Sequence, residues 1–410
     1  MPQQLDEEVL PLIRTRADVW RWSVANDHGH RMHHAVDVLE AAARSGDPAE
    51  VYAVTHKALA SAIKVIARAD DSSGIIGDAC RRLLDLHAKA AAAAGVPAAK
   101  LIDWMMKFQF EGEIDYFQLD PVAYVPALGA TGMKAYRSKL DERRRTLGPE
   151  PTGDGRWASP HAHDWLTLEW NDQRLAVYDR DVDAIIRTHA KDRRVAAWYL
   201  DTAKALSEIG QIDKAIEWAG EAIDVGPWHQ SLRAADYWCQ LLAEQRPGDL
   251  VEARLEVFRR WPSSSTAAQL HAAAAQAWED FSDEVMSTLV AQPRDAVLFA
   301  LLTLKDVSLA WDLAHTLELD DDRTWSDLVK AYEKIDPLAV LPVLIRLVHN
   351  ELVEADAQHY RVAARRLAKM RKLAAGSAQA AGVDDLIGQL RETHRRRPRL
   401  QQEFDRAGLP

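Results

Sequence analysis

The chain has 410 residues, 48% hydrophobic and 28% charged, which places it among ordinary globular proteins and excludes disorder as its dominant state. Its formal net charge of −11 argues against a surface that serves throughout as a nucleic-acid footprint. Nineteen Gly and seventeen Pro are few for this length and alanine is abundant, so helices are favoured over turn-punctuated strands.

Two cysteines, Cys80 and Cys239, exclude a disulfide-stapled scaffold and any zinc site built on several local thiolates. A reducing cytoplasm is the expected location. The opening MPQQLDEEVLPLIRTR lacks the basic and apolar blocks of a secretion signal, and no stretch approaches the ~18 uninterrupted apolar residues of a membrane span. No membrane association is expected.

In chain order, residues 5–43 read as one or two amphipathic helices broken at the turn residues Asn26, Asp27, His28 and Gly29. Residues 48–69 form the next helix, with Val51, Val54, Leu59, Ile63 and Ile66 at three-to-four spacing, ending at Asp70-Asp71-Ser72-Ser73-Gly74. A helix over 74–94 stops at Gly95-Val96-Pro97, another takes 98–110, and a pair follows at 121–128 and 132–147. The richest Pro/Gly run, Gly148 to Gly155, marks a linker over 148–164 between an N-terminal helical domain, 1–147, and a C-terminal domain, 165–410.

Beyond the linker, Trp198, Tyr199, Leu200, Leu206, Gly210, Ala215, Ala219, Ala222 and Pro227 follow the 34-residue pattern of a tetratricopeptide repeat. Small residues there let paired helices approach closely, Gly210 turns the chain and Pro227 ends the second helix. A weaker copy uses Trp238, Leu241, Leu242, Pro247-Gly248, Ala253, Phe258 and Trp261-Pro262, and further helix pairs are expected at 267–291, 296–317 and 325–331. Residues 338–374 complete the array as one or two long helices ending near Gly376. The expected fold is all-α, a superhelical, tetratricopeptide-like α-solenoid of helical hairpins with an extended concave face.

Several short motifs occur in an order that repeats alone would rarely produce. Asp70-Asp71-Ser72-Ser73-Gly74-Ile75-Ile76-Gly77-Asp78, Leu119-Asp120-Pro121, Tyr124-Val125-Pro126-Ala127-Leu128-Gly129 and Tyr136-Arg137 are followed near the end by Gln358 to Ala368 and Leu390 to Arg397. From about residue 45 onward the chain resembles the helical region that accompanies the zinc module in bacterial SWIM zinc-finger proteins and related domains of unknown function. The SWIM module needs Cys-x-Cys followed by Cys-x-His, which this chain lacks, so the resemblance implies the scaffold without the zinc function. It also implies an association with helicase-like partners.

Candidate sites are weak individually. His30, with His33 and His34 three and four residues on, has the spacing of a metal pair on one helix face, and His161, His163 and Asp164 could add ligands. No thiolate or HExxH frame fixes such a site, so no metal or other cofactor is expected. Asp70, Asp71 and Asp78 could hold a cation, but a helix cap by Ser72 or Ser73 accounts for the segment. Ala235, Trp238, Leu242 and Gln245 form one stripe of a first helix in its pair, the helix that lines the groove of such arrays, and Lys204 and Arg233 flank it.

The last segment is basic, with twelve Lys and Arg against five Asp and Glu between His359 and Pro410. Arg365, Arg366, Lys369 and Lys372 share a helix face, and Arg395, Arg396 and Arg397 follow. No nucleophile elbow, phosphate loop or dinucleotide fingerprint is present. The expectation is a non-catalytic interaction scaffold that binds a protein partner through Lys204, Arg233, Trp238, Leu242 and Gln245. The alternative is a nucleic-acid-associated accessory protein acting through the basic tail.

Overall fold

A computed structural model describes residues 3–112, 118–151, 159–226 and 228–410. Among these residues there are 21 α-helices and no strand, and the helices pack chiefly against their neighbours in sequence as successive hairpins. The chain is an all-α helical-hairpin array. No helix among the described residues is long and apolar enough to cross a membrane.

Cα packing divides the chain into two compact units, 1–234 and 235–410. In the first, α1 (Gln3–Ile13), α2 (Trp22–Ser45), α3 (Pro48–Ile66) and α4 (Ile75–Ala93) form a bundle in which α4 packs on both α2 and α3. Its core joins Ile13, Met32, Leu39, Leu59, Ile76 and Leu83. These positions recur at helical spacing, so each helix turns one apolar stripe inward.

The expected break at 26–29 does not occur, because α2 runs unbroken from Trp22 to Ser45 and the chain turns instead at 14–21. Gly29 is buried inside α2, and a Cβ built there would lie 2.4 Å from Ile75 Cγ2. It is a packing glycine, placed where α2 meets the start of α4. Gly29→Ala is therefore expected to destabilise by about 1–3 kcal/mol through overpacking. In an Ile75→Ala background, which removes the 2.4 Å and 3.0 Å contacts and leaves only the position-75 Cβ at 3.2 Å, the same change should cost markedly less. Urea titrations of the four proteins read that difference, and additive effects would contradict the contact.

The first unit continues with α5 (Ala98–Phe110), a 3₁₀ turn at Pro121–Tyr124, α6 (Val125–Leu147), kinked at Gly129 (φ 62°), and α7 (Ala162–Asp179). The expected pair at 121–128 and 132–147 is present: a 3₁₀ turn runs into a short helical segment, Gly129 is non-helical (φ 62°, ψ −179°), and a second helical segment continues beyond it. The Pro/Gly run at 148–155 lies within this unit, and its residues 152–155 fall outside the described residues. On either side of it, Arg143 and Arg144 of α6 reach Asp164 (2.7 Å) and Asp172 (2.8 Å) of α7.

Next come α8 (Val182–His189), α9 (Ala196–Glu208) and α10 (Ile212–Glu221). The α9–α10 hairpin matches the repeat reading in detail. Ala203, Ala215, Ala219 and Ala222 are fully buried where the helices meet, and Gly210 takes a left-handed turn at φ 81°. Pro227, the expected stop, lies outside the described residues.

Helix α11 (Trp228–Gln245) runs from the first unit into the second, where α12 (Leu250–Arg260), α13 (Ser264–Ala274), α14 (Glu279–Leu289), α15 (Pro293–Leu298), α16 (Val307–Thr316) and α17 (Asp322–Tyr332) follow. The 338–374 segment is two helices, α18 (Leu341–Val353) and α19 (Ala357–Ala374), separated where Asp356 caps α19 through the Gln358 and His359 amides. Two more helices, α20 (Ala380–Thr393) and α21 (Pro398–Arg406), lie beyond the expected end near Gly376. They bury Ile387, Leu390, Leu400 and Phe404 in the same core as α18 and α19.

Candidate functional site

On α9, Tyr199, Leu200, Ala203 and Leu206 turn into the core, which leaves Asp201, Lys204 and Glu208 on the outer face. Lys204, Arg233 near the start of α11, and Lys191 all act electrostatically on Asp201. Asp201 keeps contact with solvent, yet the protein packed around it raises its carboxyl above the usual range, and the three cations oppose that rise. Lys191 is 2.5 Å from the Glu169 carboxylate, and its ammonium sits 4.8 Å from the Trp198 ring centre. The fold thus gathers two predicted site residues, Lys204 and Arg233, about one carboxylate, and adds Lys191 and Trp198, which the sequence did not single out.

The other predicted partner residues belong to the second unit. Trp238 is half-buried and Gln245 exposed, but Leu242 is 2% exposed and Ala235 fully buried. Leu242 is therefore a core residue and is closed to a partner. Its apolar side faces inward for the same reason the stripe was legible, since helical spacing marks a buried face as readily as a groove.

The basic tail divides as well. Arg366 donates to Glu351 (2.8 Å), the Leu347 carbonyl (3.0 Å) and Ser326 (2.8 Å), and Lys369 pairs with Glu333. Arg397 donates to the Leu352 carbonyl (2.8 Å) and Arg395 to Glu392 (2.7 Å). Arg365, Lys372 and Arg396 are exposed and, among the described residues, in no ion pair. The basic face is thus divided, with Arg366 and Lys369 paired to carboxylates of neighbouring helices and Arg365 and Lys372 left in solvent.

The histidine cluster is dispersed along the middle of α2. His33 bonds the Ile75 carbonyl (3.1 Å) and Arg82 (3.0 Å), while His30 and His34 are exposed. His161 contacts Asp164 (3.2 Å), and His163 bonds the Gln109 carbonyl (2.9 Å). Among the described residues no three His, Cys, Asp or Glu side chains are placed to hold a metal. At the start of α4 the Asp71 carboxylate accepts from the Ile76 and Gly77 amides, each at 2.8 Å, while the expected Ser73 cap adds only a long contact from the Ile75 amide (3.5 Å). Burial pushes the Cys80 thiol up to about 12 and the Cys239 thiol up to about 11, so neither is a thiolate at neutral pH.

Residues 10–400 match the profile of DUF6880, a family of unknown function. The chain belongs to this family. Among solved structures, a circular tandem repeat protein with novel repeat topology and enhanced subunit contact surfaces is similar at 13% identity, over 99% of this chain and 94% of that one, with a TM-score of 0.16. No curated protein matches the chain. The fold of this DUF6880 chain accordingly rests on its own helix packing.

Two buried polar networks in the first unit escaped the sequence reading. His56 Nδ1 lies 3.0 Å from His87 Nε2, and His87 Nδ1 lies 3.0 Å from the Tyr124 hydroxyl. Trp104 packs 4.2 Å from the His87 ring, which is fully buried. Burial, with His56 adding to it, pushes the His87 imidazole down to about 3, so this ring is neutral. Further along, Tyr136 donates to Asn171 (2.7 Å) and accepts from Gln109 (2.7 Å), and Asn171 donates to Gln109 Oε1 (2.9 Å), which ties α5, α6 and α7 together. Lone His, Tyr, Asn and Gln residues carry no local signal of such pairing. Only Tyr124 and Tyr136, inside the quoted motifs, marked the neighbourhood. In this DUF6880 chain both networks stiffen the helix stack.

Proposed function

We propose that this chain is a non-catalytic interaction scaffold whose helical hairpins present a charged and aromatic surface to a protein partner. The observation that supports the reading is the grouping of Lys191, Lys204 and Arg233 about Asp201, beside Trp198, on the outer side of α9 and the start of α11. Excess positive charge around a partly desolvated carboxylate suits an acidic peptide, and Arg and Trp are the residue types that carry most interface energy. Trp238 and Gln245 form a separate accessible position in the second unit.

Affinity purification of the intact chain from its native cell, followed by binding measurements with the recovered partner, tests this. Lys204→Glu with Arg233→Glu is expected to weaken binding by about thirtyfold or more, as for a hot spot of ~2 kcal/mol, with helix content unchanged. Trp238→Ala is measured separately. Binding unaltered by the charge reversal would refute the first-unit surface.

A second reading, a nucleic-acid-associated accessory protein, is favoured by the exposed and unpaired Arg365, Lys372 and Arg396. The resemblance of the closing segment to SWIM-associated helical regions supports it and brings the helicase-like partner with it. On this reading, changing those three residues to Ala flattens the salt dependence of nucleic-acid binding by about 0.7–0.9 for each phosphate that the tail ceases to neutralise.

A further inference from the structure

Residues 14–22, between α1 and α2, read Arg-Thr-Arg-Ala-Asp-Val-Trp-Arg-Trp. The segment is held firmly. Val19 is 1% exposed, its carbonyl accepts from the Asp70 amide at 2.8 Å, and the Arg68 guanidinium donates to the Thr15 (2.6 Å) and Ala17 (3.1 Å) carbonyls. Asp18 Oδ1 accepts from the Trp20 amide at 3.3 Å. Yet Trp20 is 71% and Trp22 57% exposed, and among the described residues neither ring packs on another aromatic ring. Folding gains little from two large rings left in water, whereas a surface that has already lost its loop entropy binds at lower cost.

Within the segment, basic groups outnumber acidic ones three to one. Arg14, Arg16 and Arg21 are exposed, with Arg21 3.9 Å from Asp18, the single carboxylate of the segment. Arg21 between two open indoles, with Arg14 and Arg16 preceding them, suits a polyanion that also offers flat apolar faces. Trp20 and Trp22 are two residues apart, at most ~7 Å along the backbone, a separation that two successive unstacked bases can match. A broad anionic lipid surface fits less well, because Asp18 and Asp70, whose amide donates to the Val19 carbonyl, sit beside the rings and would be pressed against it.

We propose that the pinned Arg14–Trp22 segment is a docking surface for single-stranded nucleic acid, with Trp20 and Trp22 stacking on bases and Arg14, Arg16 and Arg21 contacting phosphates. It shares no residue with the Lys204–Arg233 cluster or the basic tail, and the proposal stands or falls apart from those readings. It commits the segment to the strand backbone and to base faces, so little sequence preference is expected.

The test uses the full chain and fluorescently labelled oligothymidylate and oligouridylate of about twelve nucleotides, followed by anisotropy over a salt series. Trp20→Ala with Trp22→Ala is expected to weaken binding at least about tenfold, and Trp20→Phe with Trp22→Phe to restore part of it, since stacking is worth ~1–3 kcal/mol per base. Arg16→Ala with Arg21→Ala should flatten the salt slope by about 0.7 for each phosphate that the segment ceases to neutralise. In a tail variant, Arg365→Ala with Lys372→Ala and Arg396→Ala, the Trp20 and Trp22 changes should still weaken binding by the same factor, whatever the tail itself contributes to the salt slope. All these positions are exposed, so each variant should keep its helix content, which circular dichroism checks. Absence of oligonucleotide binding at low salt, binding that the Trp changes leave intact, or binding only to phosphatidylserine vesicles would each overturn the proposal.

Discussion

Trp325→Ala is expected to lower the stability of the second unit by about 3–5 kcal/mol, the cost of emptying a large, fully packed aromatic site. Trp325 is 2% exposed, and its indole N–H donates to the Leu319 carbonyl at 2.7 Å. Its ring stands edge-on to Trp311 at 5.6 Å, and Trp311 in turn stacks on Tyr332 at 4.2 Å with the rings 8° from parallel. Arg346 covers the same ring, its guanidinium 4.9 Å from the centre. Truncation removes the packing, the cation contact and the partner of a carbonyl in one step. Trp325→Phe keeps part of the packing and is expected to cost about 1–3 kcal/mol. Urea unfolding reads both, and a loss below ~1 kcal/mol for the Ala variant would show that α16 to α18 do not depend on this contact.

Acidification should destabilise the first unit well above the pH at which carboxylates protonate. His87 titrates near 3 when folded and has an ordinary value of 6.5 when unfolded, so between these values the unfolded chain binds the extra proton. Its contribution is complete above pH 6.5 and is lost as pH falls toward 3, at about 1.4 kcal/mol per pH unit, or about 2 kcal/mol by pH 5. Burial also lowers His28, His56 and His189, which act in the same direction. His359 in the second unit is raised by its hydrogen bond to Asp356 and acts in the opposite direction. The neutral chain satisfies every group when the Tyr124 hydroxyl donates to His87 Nδ1 and His87 Nε2–H donates to His56 Nδ1. A proton added to His87 must face Tyr124 or His56. His87→Gln removes this titration, and its stability should fall less steeply between pH 6.5 and 5 than that of the unaltered chain. Parallel pH profiles would place the acid sensitivity elsewhere.

The all-α class was legible because helical periodicity, alanine and sparse Gly and Pro agree over hundreds of residues. The 98–110 helix has its expected bounds, and the α9–α10 hairpin places its small residues where the helices touch. Gly29 shows where local reading fails. A glycine beside Asn, Asp and His signals a turn, but tertiary contact with Ile75 gives the missing side chain a packing role inside a helix. Asp71 shows the same at a cap, where a carboxylate five residues before Ile76 reaches forward to serve the Ile76 amide, while the nearer Ser73 takes only the Ile75 amide at 3.5 Å.

The candidate sites were less legible than the fold. Residue type and spacing drew in Lys204 and Arg233, which are exposed, and equally Leu242, which is core. In the tail, composition counted cations without revealing that Arg366, Lys369 and Arg397 commit their charge or hydrogen bonds to the neighbouring helices. Local pattern sets which face of each helix is apolar, because that depends on residues three and four apart within one element. Which polar groups meet, as His56, His87 and Tyr124 do, and which aromatics stay in water, as Trp20 and Trp22 do, depends on how elements distant in sequence pack, since desolvation and partnering are properties of the assembled surface.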